Sequence, residues 1–150
     1  MKVLVTHSYF YRLDSKQWKF KQPYPPLGTL LAAAVARQHS HQVDFFDTNL
    51  QDGPSRIIPF LEKQPDCLVI YDDGFNYLTK MCLLVMREAA FRMMEEARKV
   101  NCTIIVSSSD ASDHFEKYLD HGANFVIRGE GETTLHLLLN ALEGLFHLHP

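Results

Sequence analysis

The chain lacks the patterns that mark several common chemistries. No apolar run approaches the ~20 residues of a membrane span, so none is predicted. The three cysteines, Cys67, Cys82 and Cys102, are odd in number and never stand at C-x-x-C spacing. They read as buried thiols of a reducing cytoplasm, not as a disulfide framework. The histidines form no H-E-x-x-H or H-x-x-x-H pair. G-x-G-x-x-G is missing after the first strand, where "THSYFY" stands, and G-x-x-x-x-G-K-[ST] is missing throughout. These absences argue against a dinucleotide-binding turn and a P-loop. A phospho-receiver would need an acidic pair after the first strand and a lysine after the fifth. Here the acids follow the third strand, and Arg128 ends the fifth. Charge is balanced, with a formal net of -3 and no long single-sign run. That speaks against nucleic acid or an anionic membrane as partner. The opening "MKVLVTHSYFYR" turns polar too soon for a signal peptide, so the expected location is the cytoplasm.

What is present is an alternation. At 46% hydrophobic and 22% charged, the 150 residues suit one globular domain. Strands are expected at 2–6, 42–47, 67–71, 102–107 and 124–128. "CLVIY" at 67–71 and "CTIIVS" at 102–107 are continuous apolar runs, as in strands buried on both faces. Helices are expected at 25–38, at 54–64 with a kink at Pro59, at 78–100, at 111–122 stopped by Gly122, and at 132–146. Met81, Met86, Met93 and Met94 on the third helix read as core filling. Residues 7–24 are expected to be one long irregular stretch. Alternating strands and helices give an α/β doubly wound, flavodoxin-like or Rossmann-like three-layer sandwich. The predicted order of its five parallel strands is 2-1-3-4-5.

In such sheets ligands sit outside the carboxyl ends of the strands. The loops there are "THSYFYRLD", "YDDGFNYL", "SSSDASD" and "RGEGE". Candidate binding residues are therefore His7, Ser8 and Tyr9; Asp72, Asp73, Gly74 and Phe75; Ser107, Ser108 and Ser109; and Gly129, Glu130, Gly131 and Glu132. Pro26, Leu27 and Gly28 at the start of the first helix join them. Each set also has an ordinary structural reading. The glycines can make a tight turn, with the glutamates favoured at a helix start. The serines can cap a helix. His7 can be a hydrogen-bonded rim histidine, and without companions it is not assigned a metal.

Four segments together resemble the N-terminal cobalamin (vitamin B12)-binding domain of cobalamin-dependent radical S-adenosylmethionine enzymes. They are "KVLVTHSYF", "YPPLGTLLAAAVARQHSHQVDFFDTNL" at 24–50, "PDCLVIYDD" at 65–73 and "ANFVIRGEGETTLHLLL" at 123–139. The resemblance implies a Rossmann-like domain that holds cobalamin across the strand ends, its nucleotide tail passing down between the loops. Ser107 and Ser108 match the family's usual Gly-Gly, Gly129 to Glu132 its G-E-G-E turn, and Pro26 to Gly28 its helix entry. Asp72 matches a small polar position after the third strand. The serines depart from the pattern, as does Ser40, where the family usually has glycine. The D-x-H-x-x-G motif that supplies a cobalt ligand in methionine synthase is absent. Aromatic walls are expected from Tyr9, Phe10, Tyr11, Trp18, Phe20, Phe75 and Tyr77. Helix N-termini after the fourth and fifth strands are expected to offer N–H donors. The cluster motif C-x-x-x-C-x-x-C is not in the chain. The iron–sulfur cluster, the S-adenosylmethionine and the methyl transfer or rearrangement are thus expected of a downstream domain. The rival expectation is a flavodoxin-like interaction domain that no longer binds cobalamin.

Overall fold

A computed structural model describes residues 1–73 and 82–148. The strands are β1 (Lys2–Thr6), β2 (Gln42–Phe46), β3 (Cys67–Tyr71), β4 (Thr103–Ser107) and β5 (Phe125–Ile127). All pair in parallel, in the predicted order β2-β1-β3-β4-β5. The helices are α1 (Ser15–Trp18), α2 (Leu27–Gln38), α3 (Ile58–Leu61), α4 (Leu83–Lys99), α5 (Ser109–Asp113), α6 (Phe115–Asp120) and α7 (Glu132–Leu148). No described helix is long and apolar enough to cross a membrane.

The period-2 alternation of the strands sorts the helices into two layers. Leu4, Leu68, Ile70, Ile104 and Val106 face one way and meet Ala89, Ala90, Met93, Met94 and Ala97 of α4. Val3, Val5, Val69, Ile105 and Ile127 face the other way and meet Ala32, Ala33 and Ala36 of α2 with Leu135, Leu139 and Leu142 of α7. Met93 and Met94 are core residues as expected; Met81 and the start of the helix expected at 78–100 lie outside the described residues.

Two elements differ from expectation. The helix at 111–122 is split at His114 into α5 and α6. The side chain of Asp110 is held by Arg87 Nε and Nη2, at 2.7 and 2.6 Å, and by the Tyr118 hydroxyl at 2.8 Å. This buried charge network fixes α5 against α4. Residues 7–24 are also more ordered than predicted. A 3-10 turn at Tyr11–Leu13 leads into α1, whose first N–H groups are capped by Asp14. Tyr9 and Tyr11 pack with Met86 in a satellite core, so these aromatics are interior and not walls of the rim. Phe10 is buried in the main core.

α2 and α6 end alike. Ser40 N–H bonds Arg37 O and His41 N–H bonds Ala36 O, the paired bonds of a Schellman motif. Ser40 has φ 67°, the left-handed value that glycine adopts without cost. α6 ends on the same pair of bonds with Gly122 at φ 104°.

Candidate functional site

α2 begins after β1 and packs its first turn against the end of β3. That junction is the topological switch point of a 2-1-3-4-5 sheet. The Thr29 hydroxyl donates to Tyr71 O at 2.6 Å, and Gly28 N–H donates to Asp73 Oδ2 at 3.3 Å. A Cβ on Gly28 would come within 3.3 Å of Asp73 Cα, a tight contact that a larger residue could take only if Asp73 shifted by a few tenths of an ångström.

At this junction opens a groove of about 660 Å3. One wall is Leu27, Gly28 and Leu31 of α2. Its floor is Tyr71, Asp72 and Asp73 from β3 with Ser107 from β4. The far side is Ser108, Ser109, Ser112 and Asp113 of α5, and Gly129 to Glu132 close the end. Leu27 and Leu31 are 62% and 50% exposed, so an apolar edge faces solvent above a polar floor. A shallow groove of about 630 Å3 between α2 and β2 has Leu30, Ala34 and Phe45 in its lining and Arg37 as its one charged lining residue among those described. The rim groove combines apolar walls with convergent polar groups, the usual make-up of a ligand site.

The turn after β5 uses its two glycines differently. Gly129 has φ 82° and open space where a Cβ would lie. A Cβ on Gly131 would come within 2.7 Å of Tyr71 Cε2 and 2.8 Å of Ser107 Oγ. Gly131 is thus a packing position over Tyr71, whose hydroxyl bonds Glu132; burial and that bond push the phenol up. Ser108 acts as the cap of α5, accepting from Ala111 N–H at 2.9 Å.

The groove gathers Leu27, Gly28, Asp72, Asp73, Ser107, Ser108, Ser109, Gly129, Glu130, Gly131 and Glu132 from the sequence expectation. It does not gather His7, Ser8, Tyr9 or Pro26. His7 is buried with Nε2 3.0 Å from Asp47 Oδ1 and its ring 3.0 Å from the Thr48 hydroxyl. Ser8 is buried against Asp72, and the Tyr9 hydroxyl donates to Asp14. Pro26 is the N-cap position of α2. Gly74, Phe75 and Tyr77 lie outside the described residues. Tyr71, Leu31, Ser112 and Asp113 line the groove but were not among the candidates. Leu31 follows Leu27 by one helical turn and was findable from that spacing; Tyr71 ends β3 on the face of Val69 and was findable from alternation.

Asp72 is buried, and burial raises its pKa against the lowering effect of the Ser8 bonds. Among the described residues, no group of three or more His, Cys, Asp or Glu side chains could hold a metal ion. Comparison of the sequence with protein-family models and with curated proteins finds no match.

Proposed function

We propose that the chain is a cobalamin-binding module that holds the cofactor at the carboxyl ends of β3, β4 and β5 and presents it to a radical S-adenosylmethionine domain. The observation that carries this reading is the rim groove itself. Glycine and serine from the start of α2 and from the ends of β4 and β5 meet there beside two exposed leucines, at the switch point where α/β sheets bind ligands.

The lining suits a corrinoid in its chemistry. Leu27 and Leu31 offer contact to an apolar corrin edge. The hydroxyls of Ser107 and Ser109 and the carboxylates of Asp73, Asp113 and Glu130 offer acceptors to donor-rich carboxamide arms. A groove of about 660 Å3 is in the range that buries a drug-sized group, so it would take part of a corrinoid and not the whole. When bound, the corrin supplies a cobalt centre for group transfer. This chain's groove residues would orient it; the His7 ring is already held by Asp47 and Thr48. The iron–sulfur cluster and the S-adenosylmethionine belong to the partner domain, and a cytoplasmic setting fits such a pair.

A second reading is an interaction domain of the same fold without a ligand. It is favoured by the packing of Gly131 on Tyr71 and Ser107, which explains that glycine with no ligand at all. Hydroxocobalamin added to the purified chain, followed by desalting, separates the two. Retained visible absorbance supports the module. Absence of retained colour, both in the wild type and after Ser107→Gly with Ser108→Gly, supports the second reading.

A further inference from the structure

Charge in the rim groove is one-sided. Its described lining contains Asp72, Asp73, Asp113, Glu130 and Glu132 and neither lysine nor arginine. Asp72 is occupied by Ser8 and Glu132 by Tyr71. Asp113 and Glu130 line the groove from exposed positions. Carboxamides donate hydrogen bonds, and carboxylates accept them strongly. A phosphodiester is an anion with acceptors only, so this lining repels it. Cobalamin carries both groups: carboxamides around the corrin and one phosphodiester in the nucleotide tail.

We infer that the groove discriminates within the corrinoid class: it favours the carboxamide-bearing corrin edge, and Asp113 and Glu130 select against the tail phosphodiester. The inference rests on the cobalamin reading above. It reverses the common pattern of phosphate binding, in which backbone N–H groups and cations converge on the anion. It also runs against the path of the tail that the family resemblance implies, since a tail phosphate deep between the loops would lie among these acids.

The test is an equilibrium titration of the full chain, read by visible absorbance, with cyanocobalamin and with dicyanocobinamide. The second ligand keeps the corrin and its amides and lacks the phosphodiester. Each is measured at low and high salt, with Debye lengths of about 30 and 3 Å, and with the double variant Asp113→Asn, Glu130→Gln. Both side chains are exposed, and circular dichroism checks that the variant keeps its fold. Cyanocobalamin affinity should rise about threefold with salt, and about threefold in the variant at low salt, the size expected of exposed charge pairs. Dicyanocobinamide, which keeps the carboxamides and lacks the phosphodiester, should gain in neither comparison and should weaken in the variant as the carboxylate acceptors are lost. If both ligands bind and cyanocobalamin weakens with salt, or the variant changes both ligands equally, the inference fails while the module reading stands. If neither ligand binds, the module reading fails and takes the inference with it.

Discussion

Asp72 Oδ1 accepts the Ser8 N–H at 2.6 Å, and Oδ2 accepts the Ser8 hydroxyl at 2.8 Å. One buried carboxylate thereby ties the end of β3 to the loop after β1, across the switch point that carries the groove. An acid buried in this way is costly when ionised, and the two bonds from Ser8 are what make it tolerable.

Asp72 has a folded pKa above its ordinary 3.8, burial being the cause. The folded chain therefore takes up a proton at a pH where the unfolded chain does not. Stability from this group rises as pH falls from neutral toward 3.8 and is lost as pH rises through the raised value. Asp72→Asn keeps an acceptor for the Ser8 N–H and removes the titration. Urea melts of both proteins at neutral pH and in mild acid should show the wild type gaining on the variant in acid; an equal difference at both pH values contradicts this. Asp72→Ala leaves the buried Ser8 N–H unpaired and should cost about 1–3 kcal/mol at either pH.

The two glycines after β5 should respond oppositely to rescue. Gly129→Ala places a side chain at φ 82° in open space and should cost about 1–2 kcal/mol, with Gly129→Asn recovering part of it. Gly131→Ala drives a methyl into the Tyr71 ring and should cost about 1–3 kcal/mol, from overpacking. Asparagine should be worse than alanine at 131, and Tyr71→Leu should relieve part of the alanine penalty. Thermal melts of the five variants decide the matter; equal behaviour at the two positions would refute the packing assignment.

Ser40→Gly should stabilise the chain by about 1 kcal/mol, because serine at φ 67° bears a left-handed strain that glycine avoids. The site lies at the end of α2 remote from the groove, so any effect on corrinoid retention would contradict a purely conformational role for this position. Denaturant midpoints with unchanged slope are the readout.

The sheet was legible from the chain because its cues are local. "CLVIY" is buried at every position of β3, as a continuous apolar run in a central strand should be. The strand-end rule then pointed to the loops that form most of the groove. What was not legible depends on partners distant in sequence. His7 reads like a rim ligand, but Asp47 and Thr48, 40 residues on, enclose it. The break between α5 and α6 accompanies Arg87 holding Asp110 from α4, a contact no helical periodicity announces. The order in 7–24 comes from Tyr9 donating to Asp14 and Tyr11 donating to Gln17 O, pairings that a polar, aromatic loop does not advertise. Gly131 looked like a ligand cradle; its nearest obligation is to Tyr71 and Ser107.

Filling the groove tests the central claim most directly. Ser109 lines it from an exposed position at the first residue of α5, so Ser109→Trp should occupy the space with the core untouched. After incubation with hydroxocobalamin and desalting, the wild type should keep near-stoichiometric visible absorbance and the tryptophan variant little. A colourless wild type, or a variant that retains as much cobalamin as the wild type, would contradict the account.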